Sequence, residues 1–285
     1  MKLRGSEIVV AALEDAGARF TFGIPGTHNI ELYDALDESA VLPVLVTDEQ
    51  GASFMADGVS RSSDTIGVVN VVPGAGVTHC LSGVAEAFMD NVPLVVLACG
   101  IRRDTDRAFQ LHDIDQAALL APITKAVLRP ESADEIYRLV RRAFDLARRG
   151  APGPVAIEIP AHFYMLTQDI DRFTYDASFE VAPPPAPEAL DAAADLLGRA
   201  PWREQIASGH RDVREAWGKD RSDGRVTPAA FFSALQRLAP HAIYTTDSGN
   251  GTFLAMEHLL LDRPGQLLAP VDYSCMGYSV PAASS

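Results

Sequence analysis

The sequence predicts an α/β fold built around a doubly wound parallel sheet, followed by a linker and an incomplete second α/β domain. Three observations carry that expectation. Short β-branched runs alternate with helix-period stretches through the first 165 residues. Two runs, 67–72 and 93–99, are apolar almost throughout, as strands covered on both faces are. Glycine-bearing turns, Gly23-Ile-Pro-Gly26 and Gly74-Ala-Gly76, follow two of the runs where a parallel sheet places its ligand-binding loops.

Each element has a local reason. At 6–15, Ile8, Val9, Ala12 and Leu13 share one helical face, and Gly17 stands where a left-handed residue ends a helix. A strand at 19–22, a helix at 29–36, a buried strand at 41–46 and a helix at 49–61 are expected next. The run 67–72, a helix at 77–90 and the run 93–99 follow. A strand at 123–128, a helix at 132–149 and a strand at 154–159 complete a first domain placed at residues 1–165. Four prolines at 181–187 read as an extended linker, followed by a helix at 188–199 and a charged stretch at 202–225. Residues 166–225 are therefore expected to form no domain of their own. From 226 the pattern recovers: Thr227 caps a helix that opens on Pro228 and runs to about 238, with a strand at 242–246. The last stretch, 226–285, is shorter than a typical α/β domain.

Composition narrows the function classes. With 38 acidic and 24 basic side chains the net charge is −14, which repels nucleic-acid backbones and anionic membranes alike. Neither partner is expected. Apolar residues at 47% and charged residues at 22% suit a globular protein. Runs such as 92–99 are too short to cross a bilayer and residues 1–5 show no signal-peptide pattern, so a cytoplasmic location is expected. Cys80, Cys99 and Cys275 form no Cys-x-x-Cys pair and read as buried free thiols.

Several residues are candidates for chemistry. Glu49 follows a strand and opens a helix, which suits either a catalytic acid or a simple electrostatic contribution to a helix N-terminus. Gly74-Ala-Gly76 offers amides to a ligand, but His79 stands where a dinucleotide fingerprint needs glycine and Cys99-Gly100-Ile101 where it needs an acid. No Walker-type loop occurs. His112 and Asp113 lie in a stretch with few helix signals, as site residues or as an ordinary polar loop. No two histidines have helical metal-ligand spacing, so no protein metal site is expected. Asp247-Ser-Gly-Asn250 follows a strand and reads equally as a pocket wall or a turn.

In order, these segments resemble the thiamine-diphosphate-dependent 2-oxoacid enzymes, most closely the acetolactate synthase large-subunit group. The resemblance rests on Phe22-Gly-Ile-Pro-Gly26, the stretch from Asp48-Glu49 to Arg61, Gly74-Ala-Gly-Val-Thr-His79, Asp90-Asn-Val-Pro-Leu-Val-Val-Leu97, Phe109-Gln110 and Pro122-Ile-Thr-Lys125. Asp247-Ser-Gly and Met276-Gly-Tyr-Ser-Val-Pro-Ala-Ala283 resemble the opening of the family's diphosphate-binding domain. The resemblance implies that Glu49 bonds the aminopyrimidine ring nitrogen of thiamine diphosphate, so that the cofactor's own amino group can deprotonate the thiazolium carbon. That carbon then attacks a 2-oxoacid such as pyruvate, carbon dioxide leaves, and a second keto acid accepts the two-carbon unit. By the same likeness Pro25 and Gly26, with Gln110 and His112, lie on the substrate side. Thr78 and His79 lie near the cofactor, as do Asp247, Ser248 and Gly249. Backbone groups of Ser274 and Met276 hold the aminopyrimidine edge. A homodimer or homotetramer is implied.

The sequence also departs from the family. It has Ala75, His79 and Ser274 where proline, asparagine and glycine are usual, and Gln110-Leu-His112 leans toward a 2-oxoacid decarboxylase. The middle domain that carries FAD in synthases is expected to be cut out, so FAD has no support. No Gly-Asp-Gly occurs, so the family's Mg2+ lacks its binding motif. The chain is thus expected to be an incomplete enzyme, weak or inactive alone, or a remnant acting as a partner domain.

Overall fold

The computed structural model describes residues 2–107, 110–170, 173–176, 188, 191–192, 195, 200–219 and 224–284. The chain forms two compact units, one of residues 1–177, 243–252 and 263–285 and the other of 178–242 and 253–262. Residues 226–285, expected to open a second domain, are thus divided between them. The linker expected at 181–187 lies outside the described residues, as does most of the helix expected at 188–199.

In the first unit, β1 (Lys2–Arg4) leads into α1 (Gly5–Asp15), β2 (Phe20–Gly23), α2 (Ile30–Asp37) and β3 (Leu42–Leu45). There follow α3 (Glu49–Ser62), β4 (Gly67–Val71), α4 (Ala75–Met89), β5 (Leu94–Gly100) and α5 (Gln116–Leu120). Next come β6 (Ala126–Leu128), α6 (Ile136–Arg148), β7 (Pro154–Pro160), α7 (Ala161–Met165) and β8 (Thr167–Asp169). Six strands form one sheet in the order β3-β2-β4-β5-β7-β6, every neighbouring pair parallel. The expected doubly wound sheet is present.

Alternation along the strands assigns the two faces. Val95, Leu97 and Cys99 of β5 join Ile8 and Leu13 of α1, Leu32 of α2 and Val140 and Phe144 of α6 in one core. Leu94, Val96 and Ala98 point the other way and pack with Ala52 and Ala56 of α3, Val77 and Val84 of α4 and Leu120 of α5. Both β4 and β5 are buried at every position, as their apolar runs demand.

Two expectations are corrected. The segment 41–46 does not form a buried strand: β3 is a sheet edge on which Leu42 and Leu45 are 56% and 70% exposed, and Pro43 sits where a missing N–H costs least. The strand expected at 123–128 is only β6, because Asp115 caps α5 and a 3-10 turn containing Pro122 occupies Ala121–Ile123. The charged stretch at 202–225 is largely helical, within α8 (Ala200–Gly218). Two pairings have no apolar periodicity to announce them. β1 runs antiparallel to β8, and β9 (Tyr244–Thr245) runs parallel to β10 (Leu267–Leu268). Helix α9 (Pro228–Leu238), capped by Thr227 as expected, precedes β9, and α10 (Asn250–His258) lies between β9 and β10.

The C-terminal helix α11 (Ser279–Ala283) packs on α3 within the first unit. Tyr278, fully buried, donates its hydroxyl to Asp57 Oδ2 at 2.5 Å and sets its ring 5.2 Å from Phe54. Arg61 binds the same carboxylate at 2.7 Å and Asp90 at 2.8 Å. A buried carboxylate is costly unless it is paired, and here an arginine and a phenol share it. Glu86 is buried beside this network, next to the Cys275 thiol. Burial and Asp90 push its carboxyl up to about 7, against the pull of Arg61 at 3.8 Å.

Two outcomes are expected. Tyr278→Phe leaves the buried Asp57 short of a donor and lowers unfolding free energy by ~1–3 kcal/mol in urea titration. Glu86 binds its proton more tightly folded than unfolded, so its contribution is full below the ordinary carboxylate range and is lost as pH rises to about 7. Urea midpoints should therefore show wild type losing stability relative to Glu86→Gln between about pH 4.5 and pH 7.

Candidate functional site

The chain passes from β2 outward to β3 and returns to lay β4 on the opposite side of β2. Strand order reverses there, and the loops leaving β2 and β4 diverge to leave a crevice at the carboxyl ends of the strands. Pro25 and Gly26 are on the first loop, and Gly74 and Ala75 follow the second. Asn29 fixes the first loop: its Oδ1 accepts the Gly26 N–H at 2.7 Å and its Nδ2 donates to Asn70 Oδ1 at 3.3 Å. Asn70, the one polar side chain of β4, is fully buried, and its Nδ2 has no hydrogen-bond partner among the described residues.

Glu49 stands at the first position of α3, after Asp48, whose carboxylate caps the Gln50 N–H at 3.3 Å. Its carboxyl is nearly buried, and Oε2 lies 3.3 Å from Nδ1 of the exposed His79 on α4. Asp48 Oδ1 lies 3.9 Å from the same nitrogen. The three side chains offer ligand atoms within 4.8 Å of one another, a grouping across two helices that histidine spacing along one helix does not reveal. A Cβ at Gly76 would come within 2.9 Å of Val72 Cγ2 and 3.3 Å of Glu49 Oε1, so glycine keeps the ground above the carboxyl open. Thr78 is exposed one residue before His79, its hydroxyl bonded to the Ala75 carbonyl at 2.9 Å. The Tyr33 hydroxyl is buried without a partner among the described residues, and burial together with the Glu49 charge pushes it well up.

A second polar cluster in the same unit gathers the C-terminal candidates. Asp247 Oδ1 accepts from the N–H groups of Ser248 at 2.9 Å and Gly277 at 2.7 Å, and Oδ2 accepts from Ser279 Oγ at 3.3 Å. Ser248 and Ser274 hydroxyls meet at 2.9 Å. Ser274, Gly249 and Gly277 all take positive φ, and Met276 is 78% exposed. Cys275 reaches the Ser82 carbonyl, less than one turn along α4 from His79. The structure thus brings Glu49 together with His79, and Asp247 with Ser248, Ser274 and the Met276 loop.

Gln110 and His112 line different cavities, and Glu49 lines neither of them. Gln110 donates to the Arg102 carbonyl at 2.8 Å beside Asp104 and Arg107. His112, at φ 66°, packs edge-on against His28 at 5.4 Å and borders a space with Arg103, Arg129 and Glu158. Phe109 lies outside the described residues. All three cysteines are free and buried; burial raises the Cys80 and Cys275 thiols to about 12 and Cys99 as well, which makes poor nucleophiles of them.

Sequence reasoning missed Asn29, Tyr33, Asn70 and Gln116. Gln116 accepts the Gly74 N–H at 3.1 Å and donates to the Cys99 carbonyl at 2.9 Å, tying the β4 turn to β5. Asn70 was detectable as the single amide in a β-branched run; Gln116 carried no such signal.

Residues 3–119 match the family described as thiamine pyrophosphate enzyme, N-terminal TPP binding domain. Acetolactate synthase isozyme 3 large subunit of Escherichia coli K12 is 36% identical over 159 residues, 55% of this chain and 28% of that protein. The large subunit of Lactococcus lactis is 38% identical over 157 residues, 55% and 27% of the two chains. E. coli isozyme 2 is 30% identical over 198 residues, 70% and 36%. The chain therefore spans about a third or less of the relatives it matches. Its N-terminal part is thus similar to the N-terminal TPP binding domain of thiamine pyrophosphate enzymes and to the matching part of acetolactate synthase large subunits.

Proposed function

We propose that this chain supplies the ring-binding side of a thiamine diphosphate site. The proposed activity is a carboligation of the acetolactate synthase type, in which a 2-oxoacid such as pyruvate loses carbon dioxide and its two-carbon unit passes to a second keto acid. The observation that carries the reading is the near-buried Glu49 carboxyl, set at the reversal of strand order under a gap kept open by Gly76. These residues fit a flat nitrogen heterocycle: there is an acid to share a proton with a ring nitrogen, room above it, and a buried Tyr33 hydroxyl without a partner nearby.

The cofactor, when bound, supplies a carbon nucleophile and an electron sink for decarboxylation. The chain's own residues do the rest. Glu49 holds a proton at the ring nitrogen, and its burial strengthens that shared bond. His79 stands between Glu49 and solvent, within hydrogen-bond reach, and passes that proton in and out. Pro25 and Gly26, braced through Asn29 to Asn70, and Thr78 wall the crevice. Ser274 and Met276 offer backbone groups to the ring edge from a loop that Asp247 and Ser248 shape. Gln110 and His112, which line cavities apart from Glu49 in this arrangement, are not assigned to the 2-oxoacid here. The diphosphate end is a different case. There Asp247, accepting from Ser248, Gly277 and Ser279, shapes the loop. A homodimer or homotetramer, or pairing with a complete relative, is part of the proposal.

In an active assembly containing this chain, Glu49→Gln should cut carbon dioxide release from pyruvate by about 10²–10⁴-fold without loss of folding. Activity within a few fold of wild type refutes the assignment. Acetolactate as product supports the carboligase reading, whereas acetaldehyde alone replaces it with a decarboxylase.

A further inference from the structure

The second unit contains a cavity of about 700 Å³, within the range of small-molecule sites, formed by α8, α9 and the end of α10. Its chemistry differs from the rest of the chain. Arg214 and Arg237 line it, and no carboxylate does among the described residues, in a protein of net charge −14. Neither guanidinium has an ion pair among the described residues. Two guanidiniums lining one cavity favour a carboxylate or a phosphate.

One wall is aromatic. Trp217 of α8 meets His258 of α10 with ring centroids 4.1 Å apart, and His258 in turn stacks on Phe232 of α9 at 5.8 Å and 11°. Each of the three helices contributes one ring, so the stack braces the cavity and presents the half-buried Trp217 to it. Gln236 fixes the mouth by exchanging two hydrogen bonds with the Leu260 backbone, at 2.9 and 3.1 Å.

From these features we infer a binding site for a flat aromatic anion, with the ring against Trp217 and the acid group on Arg214 and Arg237. The site is separate from the Glu49 crevice and does not depend on the reading proposed for it.

The test titrates the full chain with 2-naphthoate, 1-naphthyl phosphate and the uncharged 2-naphthamide, following tryptophan fluorescence, with Trp217→Phe to identify the reporter. Saturable quenching by at least one anion is expected, with affinity reduced about tenfold or more in the amide and in the Arg214→Gln/Arg237→Gln variant. The better of the two anions distinguishes a carboxylate from a phosphate ligand. Both arginines are exposed, so far-UV circular dichroism of the variant should match wild type. No saturable quenching by either anion at millimolar concentration overturns the inference, as does equal affinity for the amide or for the arginine variant.

Discussion

The reversal of strand order between β2 and β4 is the constraint from which the rest of the first unit follows. It makes the loops after these strands part company and so creates the crevice. It also brings Asn70 beneath Asn29, and the hydrogen bond between them is the brace for Pro25 and Gly26. The outward step to β3 then delivers Glu49 to the same end of the sheet at the head of α3, where the next helix, α4, sets His79 against it. A change in strand order would scatter these residues even with every element preserved.

Helices α3 and α4 serve a second purpose farther along. Their buried Asp57 and Glu86, with the half-buried Arg61, form a polar patch that an apolar partner could not cover without stranding charge. Tyr278 answers it with a hydroxyl for Asp57 and a ring for Phe54, and thereby fixes the segment that carries Ser274 and Met276. The candidate cofactor loop is thus held to the first unit by one buried phenol and a small core of Phe54, Leu268, Cys275 and Ala282.

Much of this was legible in the residues. The runs of β4 and β5 could be read as strands because a strand covered on both faces is apolar almost throughout, Asn70 being the one polar side chain of β4. Thr227-Pro228 announced a helix start, and Gly17 a helix end, because both act through local backbone geometry. What could not be read depends on distant partners. The edge position of β3 is a property of sheet order, and its flanking Val41 and Val46, both buried, suggested a buried strand that Leu42 and Leu45 do not form. The Tyr278–Asp57 bond joins residues 221 positions apart. Of the candidate site, Glu49 and the glycines were visible in sequence as a strand-to-helix pattern, but the polar residues that brace them were not.

The claim on which the account rests is that ligand enters at the strand-order reversal. Hydrogen–deuterium exchange with and without thiamine diphosphate and Mg2+ tests it most directly, because it reports position as well as binding. The account predicts slowed exchange in the loops after β2 and β4 and in the first turns of α3 and α4, with β6 and α6 unchanged. Protection confined to other parts of the chain, with these four segments unaffected, would contradict it.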